Sequence, residues 1–116
     1  MRKFSKLGDH RNAMFKNLSN SLIEHGKIET TLEKAKNLRV YVEPLITRAK
    51  IQSLHNRRIL LSKLFNNEKV INQLFKIGEK NINRNGGYTR IIRLKETNGR
   101  VVVQMSIIDF LDKNEE

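Results

Sequence analysis

The spacing of apolar residues changes period once along this chain, and that change restricts the folds open to it. Between His10 and Gly78 apolar side chains recur at intervals of three and four, the period of an α-helix. From Tyr88 onward they alternate with polar ones, the period of a half-buried strand. Helices followed by a short run of strands predict a two-layer α+β domain: helices packed on a small mixed sheet, with a C-terminal β-hairpin. At 116 residues the chain has the length of one domain and can bury an autonomous core.

Local signals divide the helical part. Met14, Leu18 and Leu22 are spaced by four, flanked by Phe15 and Ile23, and Gly26 ends this helix as a left-handed cap would. Residues 27–30 read as extended, a candidate third strand. Thr30, with Glu33 three residues on, reads as a capping box. It opens a helix with Ala35, Leu38, Val42, Leu45 and Ala49 on one side. Pro44 falls inside that pattern; proline costs roughly 3 kcal/mol in a helix interior, so a kink near Tyr41–Glu43, or two helices meeting there, is expected. Ser53 or Asn56 starts a third helix, with Ile59, Leu60, Leu61, Leu64 and Phe65 as apolar positions. Asn66-Asn67 breaks it and caps a fourth, which carries Val70, Ile71, Leu74 and Phe75 and runs to Gly78. Residues 79–87 read as a loop.

In the strand part, Asn98-Gly99 is the favoured pair for a two-residue type I′ turn. That turn predicts a register with Leu94 opposite Val103 and Ile92 opposite Met105, on an apolar face that buries the helices. Arg93 then faces Gln104, and Lys95 faces Val102, on the other side. The organisation expected is a basic arm over 1–9, a globular domain over 10–110 and an acidic tail over 111–116.

Charge bounds the function. Twenty-three Lys and Arg stand against twelve Asp and Glu, a net charge of +11. The excess lies before residue 101; beyond it, Asp109, Asp112, Glu115 and Glu116 face Lys113 alone. A compact domain with this charge repels itself unless a polyanion neutralises it. Nucleic acid is the usual partner, an anionic membrane surface the rarer one. With no cysteine, disulfides, thiolate metal sites and a Cys nucleophile are excluded. No apolar run approaches the ~18 residues of a membrane span, and no apolar stretch follows the basic N-terminus as it would in a secretory signal.

Catalytic constellations are not evident. His10, His25 and His55 sit at no metal-ligand spacing. There is no Gly-x-Ser-x-Gly elbow, and Gly86-Gly87 is not followed by the Lys-Ser/Thr of a phosphate-cradling loop. Neither a cofactor, a metal, a small-molecule substrate nor an enzymatic activity is expected. The basic residues are more informative, and they form four clusters. Arg2, Lys3, Lys6, Arg11 and Lys16 lie on the arm and first helix. Lys34, Lys36 and Arg39 lie on the second helix, and Arg57-Arg58 on the third. Lys80, Arg84, Arg90, Arg93 and Lys95 surround the loop and first strand. A solvated charged face accounts for any one of them; together they outnumber the acidic partners. Arg and Lys grip phosphates, and Asn12, Asn17, Asn37 and Asn56 lie beside them, placed to reach ribose hydroxyls or base edges. In Gly86-Gly87-Tyr88-Thr89-Arg90, close backbone approach to RNA, stacking by Tyr88 and a phosphate grip by Arg90 compete with a plain loop that buries Tyr88. RNA fits better than duplex DNA, because the charge is spread over several elements and no DNA-reading motif is present.

Five motifs in order carry a resemblance over roughly residues 9–110. They are His10-Arg11 with Ala13 and Asn17; Thr30-Thr31-Leu32-Glu33-Lys34-Ala35-Lys36-Asn37-Leu38-Arg39; Glu43-Pro44-Leu45-Ile46-Thr47 with Ala49-Lys50; Asn56-Arg57-Arg58; and Gly86-Gly87-Tyr88-Thr89-Arg90-Ile91. In these the chain resembles the bacterial-type family of large-subunit ribosomal protein seventeen. The resemblance implies a structural protein of the ribosome, expected in the cytoplasm, with an organellar ribosome as the alternative. It implies binding to large-subunit ribosomal RNA near the nascent-chain tunnel exit, beside other ribosomal proteins of that rim. It implies helices packed on a small sheet. The candidate RNA-binding set is Arg2, Lys3, Lys6, His10, Arg11, Lys16, Asn17, Lys34, Lys36, Arg39, Arg57, Arg58, Arg84, Gly86, Gly87, Tyr88, Thr89 and Arg90. The chain departs from the family pattern at Leu7-Gly8-Asp9, where the basic arm is shorter, and at Val40, where many members carry a second Arg. The alternatives are a free-standing protein that coats nucleic acid non-specifically and a small enzyme with an unrecognised site.

Overall fold

A computed structural model describes the backbone of residues 8–94 and 104–111, with side chains from residue 12 onward. The elements run α1 (Gly8–His25), β1 (Lys27–Thr31), α2 (Leu32–Ala49), α3 (Leu54–Lys63), α4 (Glu68–Lys80), β2 (Thr89–Arg93) and β3 (Met105–Phe110). The α+β reading holds, with helices on one face of a three-stranded sheet ordered β1-β3-β2. Both pairings are antiparallel, so the sheet expected as mixed is antiparallel throughout. The 27–30 segment is its third strand, one residue longer than read.

Each helix starts and stops where side chains or backbone satisfy its free ends. Gly26, at φ +83°, ends α1 with its N–H bonded to the Leu22 carbonyl at 2.8 Å. Thr31, not Thr30, caps α2, accepting from the Lys34 N–H at 3.2 Å; the strand continues one residue past the expected cap. Ser53 caps α3 and Asn67 caps α4 in the same manner. Pro44 does not divide α2, which is continuous across it. The carbonyl that loses its donor belongs to Val40, and Val40 and Pro44 are both exposed, so water can satisfy it.

The core is built from all the helices and the central strand. Phe15, Leu22, Leu38, Val42, Ile46, Leu60, Leu64, Ile71, Leu74 and Ile108 are fully buried. Gly78 is not a helix terminator. It lies inside α4, where a Cβ would stand 2.7 Å from the backbone carbon and oxygen of Ala49, so two helices meet there main chain to main chain.

The hairpin face is the opposite of the one expected. Ile92 pairs with Ile107 and Ile91 with Ile108, a shift of two residues from the expected register. Leu94 lies opposite Met105, its N–H bonded to that carbonyl at 3.0 Å. Thr89, Ile91, Ser106, Ile108 and Phe110 face the helices, while Ile92 is 45% exposed on the open face. A shift of two preserves side-chain parity, so register is not the cause of the inversion. Tyr88 stands in the loop before β2 and packs against Thr47 and Lys50 at the end of α2, so its burial does not carry the parity of the strand's buried face. The Asn98-Gly99 turn, Lys95 and the 102–103 partners lie outside the described residues.

Candidate nucleic-acid interface

The Gly-Gly-Tyr-Thr segment is anchored to α2 by one carboxylate. Gly87, at φ +63°, turns three successive N–H groups toward Glu43. Gly87 donates to Oε1 at 3.1 Å, and Tyr88 and Thr89 donate to Oε2 at 2.9 and 3.2 Å. The Thr89 hydroxyl adds a fourth bond at 3.0 Å. A run of converging backbone N–H groups is an anion-binding nest, and here the anion is the protein's own Glu43. One helical turn earlier, Arg39 donates Nε to Thr89 Oγ1 and Nη2 to the Thr89 carbonyl, both at 3.2 Å. Arg39 and Glu43, four apart, therefore hold the amide, hydroxyl and carbonyl of Thr89 between them.

Tyr88 sits beneath this clamp, 1% exposed. Its hydroxyl lies 2.9 Å from Thr47 Oγ1, and the Lys50 ammonium lies 4.8 Å from its ring centre. Lys50 also donates to the Arg84 carbonyl, which closes the loop over the ring. Stacking of Tyr88 on a base is thereby corrected: the ring is a core residue. At Gly87 the backbone comes close to Glu43, its N–H donating to that carboxylate. Thr89, 4% exposed, serves the same anchor.

The remaining candidates separate by whether the fold occupies them. Arg90 is held by Asp109, Nε to Oδ1 at 2.9 Å and Nη2 to Oδ2 at 3.3 Å. Arg57 donates to Glu68 and, at 2.8 Å, to Asn72 Oδ1, and its guanidinium lies 5.8 Å from the Phe75 ring centre. Asn56 is buried, bonded to the carbonyls of Arg48 and Ile51; Asn37 is buried and bonded to that of Glu33. Their expected reach toward RNA is corrected to a structural role. Arg84 is half-buried. Lys16 is half-buried, its ammonium 5.1 Å from the Phe65 ring centre, and Lys34 is half-buried in the first turn of α2. Asn12, Asn17, Lys36 and Arg58 are exposed. His10 and Arg11 lie on α1, where only the backbone is described; Arg2, Lys3 and Lys6 lie outside the described residues.

Sequence reasoning passed over Lys63, Lys69 and Lys76, all exposed. The signal of Lys69 and Lys76 was position on the polar side of α4, opposite Ile71 and Leu74; Lys63 closes the last turn of α3. Among the described residues, Lys36, Arg58, Lys63, Lys69, Lys76 and Arg93 form no ion pair. His25 and His55 are exposed, and no group of metal-ligating side chains occurs among the described residues. Burial raises the Tyr41 phenol above its ordinary pKa. The phenol donates to the Lys63 carbonyl at 3.3 Å.

A two-layer domain whose internal cations clamp its own loop, and whose outer ones form no ion pair among the described residues, has the build of a small basic scaffold. The model of the ribosomal protein L17 family matches residues 14–111. The large ribosomal subunit protein bL17 of Persephonella marina is 46% identical over 112 residues, covering 96% of this chain and 90% of the relative. The chain belongs to the ribosomal protein L17 family. It is a structural constituent of the large ribosomal subunit and not an enzyme.

Proposed function

We infer that the chain binds large-subunit ribosomal RNA close to the nascent-chain tunnel exit, beside other proteins of that rim, and locks neighbouring RNA segments together. The observation that carries this reading is a net charge of +11 whose exposed members, spread over α2, α3 and α4, form no ion pairs among the described residues. Phosphates supply the missing countercharge. Among the residues with described side chains, the contact set is Lys16, Asn17, Lys34, Lys36 and Arg58. The N-terminal Arg2, Lys3, Lys6, His10 and Arg11 join it as a basic run leading into α1. Arg39, Arg57 and Arg90 contribute field and geometry while holding the fold. Placement at the tunnel exit rests on membership of the family.

Sedimentation of the tagged protein in lysate gradients tests the binding. A component integrated into the subunit stays with large subunits through a high-salt wash. Coating through ~6–10 phosphate contacts loses about three to five decades of affinity between 50 and 200 mM salt; a protein that spreads over all RNA and then floats free is not acting as proposed. Chemical footprinting of large-subunit RNA with and without the protein tests the location, and protections confined to regions remote from the tunnel exit would refute it.

A further inference from the structure

The end of α3 carries an aromatic residue where the backbone favours glycine. The Asn66 N–H bonds to the Leu61 carbonyl at 2.8 Å, closing the terminal loop that follows a helix when the residue past its cap is left-handed. That residue is Phe65, at φ +58°. A Cβ is crowded in this region and a bulky side chain there is an outlier. Burial of the ring could offset the strain, but Phe65 is 49% exposed while the adjacent Leu64 is fully buried. Inside the fold the ring meets the Lys16 ammonium. Lys63 and Lys69, within four residues of it, are exposed. The nearest acid in sequence, Glu68, is taken by Arg57.

An exposed ring with one ammonium against it and two exposed lysines within four residues in sequence has the components that receive unpaired bases, a free π-face for the base and ammonium groups for the adjoining phosphates. We propose that Phe65 is a stacking platform for one unpaired nucleobase of the large-subunit RNA, with Lys16, Lys63 and Lys69 on the flanking phosphates. The proposal rests on the RNA-binding reading and deepens it. Strained backbone conformations cluster at functional sites. Base identity is not selected, since every base offers a π-face.

The chain has no tryptophan, so Phe65→Trp introduces a single reporter. Its emission is expected to be quenched on titration with large-subunit ribosomal RNA extracted from washed subunits, and not by inorganic polyphosphate, which has charge without bases. Phe65→Gly is expected to unfold at a temperature no lower than the parent, because it relieves the backbone. It should bind the RNA about tenfold more weakly with the same salt slope, because stacking releases no counterions. An unquenched Trp in a bound complex, or native affinity in Phe65→Gly, overturns the platform and leaves RNA binding standing. Failure of the parent chain to bind the RNA at all removes both.

Discussion

Glu43 is the residue on which most of the loop geometry converges, and nothing in its sequence context marks it as an anchor. Its carboxylate accepts from three backbone N–H groups and one hydroxyl. Hydrogen bonds to a charged acceptor contribute about 1.5–3 kcal/mol. Glu43→Gln keeps the shape but removes the charge and turns an amide donor toward groups that already donate. It should lower the unfolding free energy in urea by about 2 kcal/mol; a loss under about 0.5 kcal/mol would mean the nest is held by Arg39 and packing instead. The same geometry explains why Gly86-Gly87-Tyr88-Thr89-Arg90 resembled an RNA site in sequence. Glycine, tyrosine and arginine serve nucleic-acid contact and loop closure alike, and only the position of Glu43, more than forty residues away in sequence, decides between them. Arg57 and Arg58 divide for a similar reason. Adjacent on a helix, they point about 100° apart, so Arg57 reaches Glu68 and Asn72 while Arg58 meets solvent.

At the scale of elements, the helices were legible because their signals are local. Gly26 and Asn67 cap where the sequence places caps, Ser53 is one of the two starts it offers for the third helix, and the core stripes follow from spacing alone. Contacts between elements were not legible. Gly78 reads as a terminator in one dimension and as a helix–helix contact in three. Gly78→Ala therefore sets two effects against each other: alanine is favoured in a helix by about 1 kcal/mol, but its Cβ would sit 2.7 Å from Ala49 main-chain atoms that cannot rotate away. Overpacking of this kind costs about 1–3 kcal/mol. The variant should melt at a lower temperature than the parent, and a higher melting temperature would show that α2 and α4 slide apart freely. The sheet face makes a second contrast. Ile108→Ala empties a fully buried site and should cost about 2–5 kcal/mol, whereas Ile92→Ala, on the open face, should stay within about 1 kcal/mol. Chemical denaturation of the pair decides the face, since equal losses would contradict the burial pattern.

At the scale of the molecule, excess charge both opposes compactness and prepares for binding. Like charges on a small domain destabilise it until a polyanion enters, so screening salt should matter to the free protein and to its complex in opposite directions. The cations the fold already uses are spent on holding Thr89, Asp109, Glu68 and the Tyr88 ring. Those left over should govern the salt dependence of RNA binding. Each phosphate contact contributes roughly 0.7–0.9 to the slope of log affinity against log salt. Arg58→Ala removes an exposed guanidinium and, among the described residues, breaks no ion pair. It should therefore reduce that slope by about one contact, ~0.7–0.9, with the melting temperature unchanged. Arg57→Ala should do the reverse: a lower melting temperature from the lost Glu68 and Asn72 bonds, with little change of slope. Measured on the same RNA across a salt series, the two single variants separate cations that build the scaffold from cations that bind. If both change the slope equally and neither changes stability, the division drawn from the fold is wrong and the third helix presents its two arginines to RNA as a unit.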